Sequence, residues 1–297
     1  MSRSTRRILA LSSSLRVVSA VAPTTAFVVA PKAFLAHQIH GGGVRGGRWH
    51  LATLSARHMT TSSSSVHSHE STGRDISAAK KALRNADCVC FDVDSTVVQE
   101  EGIDVLADFL GKGKQVAALT KQAMEGGLPF QDALKLRLDL LQPSRADIQA
   151  CLQAHPLQLT PGVHHFISRL HAAHKHVYLV SGGFRFMIEP VAEVLNIPKS
   201  RIFANTIVFD AHGHYVGFDE NEPTSQDMGK PRALRTIQAT GGYHTMVMIG
   251  DGATDAQAKP PAAAFIGFGG VAVRDKVVKV ADWFITDFET LVRALEE

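Results

Sequence analysis

The sequence predicts an α/β fold, a doubly wound, mostly parallel sheet with a small helical cap domain inserted after the first strand, and three observations carry that prediction. Four short apolar runs, Cys88-Val89-Cys90-Phe91, Val177-Tyr178-Leu179-Val180, Met246-Val247-Met248-Ile249 and Ala264-Phe265-Ile266-Gly267, alternate with stretches of helical spacing. Strands that alternate with helices pair in parallel, because parallel neighbours need crossover connections. The first three of the runs end in small or acidic polar residues, which gathers those groups at the carboxyl edge of one sheet. Residues 99–161 show helix-period apolar positions and contain no comparable run.

Taken in order, residues 1–71 stand apart from the fold. Of the 31 Lys/Arg, eight lie between Arg3 and Arg57, whereas all 28 Asp/Glu lie from Glu70 onward, so the rest of the chain carries 23 basic residues and a net charge of −5. The overall charge of +3 therefore belongs to the leader, and the folded part has no nucleic-acid footprint. Ser and Thr richness, Arg6-Arg7, Arg16 and the tract Thr60 to Ser65 fit an organellar transit peptide, with a disordered tail as the alternative. Thr24-Thr25-Ala26-Phe27-Val28 and the serines favour a plastid over a mitochondrion. The most apolar stretch, Ile8 to Ala22, is interrupted by Ser12-Ser13-Ser14 and Arg16, too polar for a membrane span of about 20 apolar residues. Cys88, Cys90 and Cys151 are the only cysteines. The first two point the same way from one strand and have no ligand partner at zinc spacing, so they read as small buried residues in a reducing compartment.

Ile76 to Asn85 reads as a short basic helix, followed by the first strand. In residues 99–161, Ile103, Leu106, Phe109 and Leu110 share a helix face, and Ala133 to Leu141 alternate leucine with charge. Pro143-Ser144-Arg145-Ala146-Asp147 starts another helix, and Thr160-Pro161-Gly162-Val163 the next, with Thr160 as cap and Pro161 in the first turn. Phe203 to Phe209 and His214 to Phe218, joined by Asp210-Ala211-His212-Gly213, read as a β-hairpin that extends the sheet. The expected domains are a core of residues 72–98 and 162–297 and the helical insert 99–161.

The chemistry begins at Asp92-Val93-Asp94-Ser95-Thr96, directly after the first strand. Two carboxylates two positions apart start on one face of an emerging strand. One can attack phosphorus while the other handles protons, and both can help hold a hard cation. Alone, the segment reads equally as an Asx-type turn. The other strand ends add Ser181-Gly182-Gly183 and Gly250-Asp251-Gly252-Ala253-Thr254-Asp255, and a lysine, Lys230 or Lys259, completes the set.

This ordered pattern resembles the haloacid dehalogenase superfamily, whose core is a Rossmann-like sheet. With Glu100-Glu101-Gly102-Ile103-Asp104, Ser181-Gly182-Gly183-Phe184-Arg185 and Phe265-Ile266-Gly267-Phe268-Gly269-Gly270, it resembles the phosphoserine phosphatases within it, over roughly Ala78 to Glu297. The resemblance implies a hydrolase for O-phospho-L-serine that completes serine synthesis, works through an aspartyl-phosphate, uses one Mg²⁺ per site and admits a homodimer. It makes Asp92 the nucleophile, Asp94 the general acid and base, Ser181 and the Gly182 N–H binders of phosphoryl oxygens, and Lys230 their neutralising partner. It assigns Mg²⁺ to the carboxylates of Asp92 and Asp251 and the backbone carbonyl of Asp94, with Asp255 orienting the metal or its waters. Thr254 joins the substrate binders, Glu101 and Arg137 hold the substrate's ammonium and carboxylate, and Met124 and Phe130 line the pocket, with Gly126-Gly127 giving that segment freedom to act as a lid. Pro231 after the lysine departs from the pattern and fixes that loop more tightly. A phosphotransferase passing the phosphoryl group to a second alcohol such as homoserine shares the first half-reaction and stays open. A regulatory pseudoenzyme would lack one of the acids, all of which are present, and a P-type pump would need membrane helices.

Overall fold

The computed structural model describes residues 76–124 and 128–297; the leader, the start of the expected core at residues 72–75, and the Gly126-Gly127 step lie outside the described residues. After α1 (Ile76–Asn85) and β1 (Cys88–Phe91), the chain inserts α2 (Gly102–Phe109), α3 (Gly113–Met124), α4 (Phe130–Leu141) and α5 (Arg145–Ala154). It then runs through α6 (Val163–Ala172), β2 (His176–Phe184), α7 (Arg185–Val194), β3 (Ile202–Asn205), β4 (Ile207–Phe209) and β5 (Tyr215–Phe218). The last third comprises α8 (Gly229–Gly241), β6 (Met246–Gly250), α9 (Ala253–Ala256), β7 (Ala264–Phe268), α10 (Asp275–Val280), β8 (Trp283–Ile285) and α11 (Glu289–Glu296).

Six strands form one all-parallel sheet in the order β3-β2-β1-β6-β7-β8. Both faces are covered, which is why β1, β6, β7 and β8 are apolar at every position rather than alternating. Val89, Phe91, Leu179, Val247 and Ile249 face α1, α6 and α11, where Phe166 and Phe288 join the core. Cys88, Cys90, Met246 and Met248 face α8 and α10 through Leu234, Ile237 and Val277. The three cysteines are free and buried. The chain winds outward from β1 to β3 and then crosses back to β6 on the other side of β1. The carboxyl edge between β1 and β6 is thus the switch point where a crevice opens.

The inserted helices α2–α5 bury Leu106, Val116, Leu134, Leu138, Leu141, Ile148 and Cys151 in their own cluster, which runs on to Phe184, Met187, Ile207 and Phe218. Truncating one of these fully buried leucines removes about 2–5 kcal/mol. Two linkers join the insert to the sheet side by side, through a Val98–Leu159 bridge and the bonds Gln99 N–H to Gln158 O, 2.9 Å, and Thr160 N–H to Val97 O, 2.9 Å.

Four details differ from the sequence expectation. β3 and β8, short and flanked by polar residues, complete the sheet beyond the four apolar runs. β2 continues through Ser181-Gly182-Gly183 instead of ending at Val180. The segment expected as one hairpin strand divides at Thr206, leaving β3 in the main sheet, while β4 pairs with β5 in a separate antiparallel ribbon packed on the inserted helices. α6 begins at Val163 with Gly162, φ 82°, before it, so Thr160 is a turn residue rather than the cap. At α5 the Ser144–Asp147 capping box is complete.

Candidate active site

Asp92 leaves β1 still registered on β6, its N–H bonded to Ile249 O at 2.9 Å. The chain then turns sharply. Ser95 takes φ 54°, unusual for a residue with a Cβ, and the N–H groups of Val97 and Val98 return to Val93 O at 2.8 and 3.0 Å. That turn sends the Asp94 carboxylate to the start of α2, where Gly102 N–H donates to it at 2.8 Å. The partial positive charge of a helix N-terminus favours an anion at this place.

Around Asp92 the sheet edge assembles a dry cluster of charge. Asp92, Asp251 and Asp255 are 8%, 2% and 0% exposed, and each offers a carboxylate oxygen within 4.8 Å of the others. Lys230, buried in the first turn of α8, reaches Asp92 at 2.7 Å and Asp255 at 2.5 Å. Gly229 permits this approach, because a methyl group there would lie 2.5 Å from Pro223 O. Burial opposes the Lys230 charge, but Asp255 and Asp92 outweigh it and hold the ammonium above its ordinary range. Lys259, the alternative lysine, is instead paired with Asp282 at 2.6 Å on the surface. Burial and then the Asp92 charge push Asp255 up to about 8 and Asp251 up to about 6.

Asp94 faces a different set. Ser181 Oγ lies 3.4 Å from its Oδ2 as a donor and accepts the Gly183 N–H at 2.8 Å. Desolvation, then the charges of Glu101 and Asp92, push the Asp94 carboxyl up to about 7. Gly183 is required by proximity: a methyl group there would sit 2.5 Å from Asp94 Oδ2. Glu101 accepts from Ser95 Oγ at 2.7 Å and pairs with Arg274 at 3.3 Å. Phe130, at the start of α4, lies over Gly182, whose added methyl would meet its ring at 3.1 Å. Arg137, on the same helix, is half-buried; desolvation lowers its pKa against the opposing pull of Asp104 and Glu101. Thr254 is exposed on α9. The Met124 side chain lies outside the described residues.

Residues 89–258 match the family model of haloacid dehalogenase-like hydrolases. The chain belongs to that family. Phosphoserine phosphatase of Bos taurus is 51% identical over 219 residues, 72% of this chain and 97% of that protein. The chloroplastic phosphoserine phosphatase of Arabidopsis thaliana is 49% identical over 215 residues, 72% of this chain and 73% of that protein. A solved phospho-aspartyl intermediate analogue of phosphoserine phosphatase is 27% identical, with a TM-score of 0.60 over 69% of this chain and 97% of that one.

In this hydrolase the donor set suits a hard divalent cation. Five carboxyl groups, those of Asp92, Asp94, Glu101, Asp251 and Asp255, gather here, and among the described residues Lys230 and Arg274 form the ion pairs with four of them. Burial first, and then the neighbouring carboxylate charge, raises the pKa values of Asp94, Asp251 and Asp255, and the three clustered oxygens are the ligand type that Mg²⁺ prefers.

Arg274 went unread in the sequence although it is central here. Its guanidinium donates from Nε to Asp251 Oδ2 at 2.8 Å and its Nη2 lies 2.7 Å from the same oxygen, while it also reaches Glu101. It belongs to no motif; the available signal is its place in the loop following Gly269-Gly270, at the carboxyl end of an apolar strand. Thr96, quoted with the first motif but given no role there, places its Oγ1 3.4 Å from Asp251 Oδ1. Asp255, expected to act around the metal, lies within the carboxylate cluster itself and shares Lys230 with Asp92.

Proposed function

We propose that this hydrolase converts O-phospho-L-serine to L-serine and phosphate, the last step of the phosphorylated route to serine, through an aspartyl-phosphate on Asp92. The observation that carries the reading is the division between two neighbouring carboxyl groups: Asp92 is paired with the Lys230 ammonium at 2.7 Å, whereas Asp94, desolvated and next to Glu101, is pushed up to about 7. Asp92, at the end of β1 and paired with Lys230, is placed as the nucleophile. Asp94 is poised to give a proton to the departing seryl oxygen and then to take one from the water that cleaves the acyl phosphate. Lys230 neutralises the transferred phosphoryl group, Ser181 Oγ with the Gly182 N–H binds its oxygens, and Thr254 joins the substrate binders. Bound by the Asp92 and Asp251 carboxylates and the Asp94 backbone carbonyl, with Asp255 alongside, Mg²⁺ would offset charge repulsion between nucleophile and phosphate.

Residues 99–161 act in this reading as the cap over a core of residues 72–98 and 162–297. Glu101 takes the substrate ammonium and Arg137 its carboxylate, with Met124 and Phe130 as apolar walls. The half-buried position of Arg137, under the field of Glu101 and Asp104, supports that role. The identity with phosphoserine phosphatases supports the substrate, and the chloroplastic relative supports a plastid address for the leader. The test is phosphate release from O-phospho-L-serine against other phosphomonoesters, with Mg²⁺ and with EDTA. A strong metal-dependent preference for phosphoserine is expected; equal hydrolysis of all esters would contradict the cap assignment, and diversion of the phosphate to added homoserine would show a phosphotransferase.

A further inference from the structure

We propose that Asn205, oriented by Thr224, is a positioning residue that sets the direction of the Ser181 hydroxyl. The inference rests on the role just proposed for Ser181. It begins with the pairing of β2 and β3, which is regular at Leu179–Ile202 and Val180–Phe203 and resumes only at Phe184–Asn205. Three residues of β2, Ser181, Gly182 and Gly183, thus face the single residue Ala204. A bulge of this kind lifts its residues out of the ladder, and bulges gather at active sites because they re-aim groups. It also deprives backbone groups of their ladder partners, which buried structure does not leave unmet.

Asn205 supplies the missing partner. Its side chain is fully buried, and its Nδ2 donates to Gly182 O at 2.7 Å. The amide cannot turn over freely, because Thr224 Oγ1, itself 3% exposed, donates to Asn205 Oδ1 at 3.0 Å. A trans peptide carries its C=O and its N–H on opposite edges. Gripping the carbonyl of the Gly182–Gly183 peptide from behind therefore aims the Gly183 N–H forward, where it donates to Ser181 Oγ at 2.8 Å. With one lone pair occupied, the hydroxyl keeps its proton for an acceptor in the site, and in this structure that acceptor is Asp94 Oδ2. The full path is Thr224 to Asn205, Asn205 to the Gly182–Gly183 peptide, that peptide to Ser181, and Ser181 into the catalytic centre.

The same turn also leans on the lysine. Thr224 lies in the turn Pro223–Ser225, which packs so closely on Gly229 that a methyl group there would meet Pro223 O and Thr224 Cα. Gly229 immediately precedes Lys230. One buried tie thus references both phosphate-binding elements, the serine bulge and the lysine helix, to each other.

Four proteins test the inference: wild type, Asn205→Ala, Ser181→Ala and the double variant, assayed with phosphoserine and Mg²⁺. If Asn205 acts through Ser181, Asn205→Ala lowers kcat/KM by about 30-fold in the wild-type background. Once Ser181 is alanine, the same change lowers it by less than about 3-fold. Equal losses in the two backgrounds would overturn the inference, since a residue that merely stabilised the fold would act additively. Thr224→Val, which leaves Asn205 in place, provides the same cycle if Asn205→Ala does not fold, with about 5-fold expected in the wild-type background and no further loss beside Ser181→Ala. Were the wild type to release no phosphate from phosphoserine, the proposed function would fail separately. The cycle would then be read on the Kd for inorganic phosphate by calorimetry, where non-additive losses support the inference and additive ones overturn it.

Discussion

Replacing Gly183 by alanine crowds Asp94 above all, since the added methyl would lie 2.5 Å from Asp94 Oδ2 against 3.1 Å from Ser181 Oγ. No unusual φ marks Gly183, so alanine can adopt its backbone, and the added methyl is the whole perturbation. That methyl would lie 2.5 Å from Asp94 Oδ2, whereas ordinary contacts begin at 3.4 Å, so the carboxylate must withdraw by about 0.9 Å. Withdrawal also strains the bond from Gly102 N–H, which holds the other oxygen at 2.8 Å. A displacement near 1 Å at a reacting group costs on the order of 10²-fold in rate. Steady-state kinetics with phosphoserine should therefore show kcat reduced about 10²-fold. Calorimetric Mg²⁺ affinity should stay within about 3-fold, because Asp92, Asp251 and Asp255 are untouched. Gly182→Ala is the internal comparison. Its methyl meets a Phe130 ring carbon at 3.1 Å, a shortfall of about 0.3 Å that a swinging ring can absorb, so kcat should stay within about 3-fold. Equal losses in the two variants, or a Gly183→Ala enzyme with near-normal kcat, would refute the placement of Asp94 at the chemistry.

Further consequences are open to measurement. Arg137→Ala should raise KM for phosphoserine about 10-fold or more while scarcely changing KM for a phosphate ester without a carboxylate, as steady-state kinetics on both esters would show. Arg274→Met removes the cation that competes for Asp251, so calorimetry should find Mg²⁺ bound about 10-fold more tightly, while loss of the Glu101 partner raises KM for phosphoserine. Metal removal should lower Tm more at pH 8 than at pH 6. Asp251 and Asp255 rise from an ordinary 3.8 to about 6 and about 8, so the folded chain holds protons that the unfolded chain has released, and metal-free stability falls as pH rises through that window. Equal Tm losses on EDTA treatment at both pH values would contradict this account of the carboxylate cluster.

The chemistry of the strand ends was legible because parallel strands buried on both faces write themselves as continuous apolar runs, and the acids at their ends are punctuation that few other structures require. β1 and β6, with Asp92 and Asp251, were read that way. β3 was read only as the start of a hairpin strand running on to Phe209, and β8 was not read, since Trp283–Ile285 carries too few residues for any pattern. Ser181-Gly182-Gly183 looked like the end of β2 because glycine ordinarily closes a strand; here it forms a bulge within one. Arg274 and Asn205 were invisible for a common reason. Each acts through contacts distant in sequence, Arg274 with Asp251 and Glu101 and Asn205 with Gly182 and Thr224, and nothing in the local sequence encodes such partners.

Chemical trapping of the nucleophile tests the central claim most directly. Wild-type enzyme turning over phosphoserine with Mg²⁺ is quenched with borohydride, which reduces an acyl phosphate to the alcohol, and the peptides are sequenced by mass spectrometry. Homoserine at position 92, absent without substrate and accompanied by loss of phosphate release in Asp92→Asn, is the predicted result. Reduction at a different aspartate, or undiminished phosphate release from Asp92→Asn, would contradict the account.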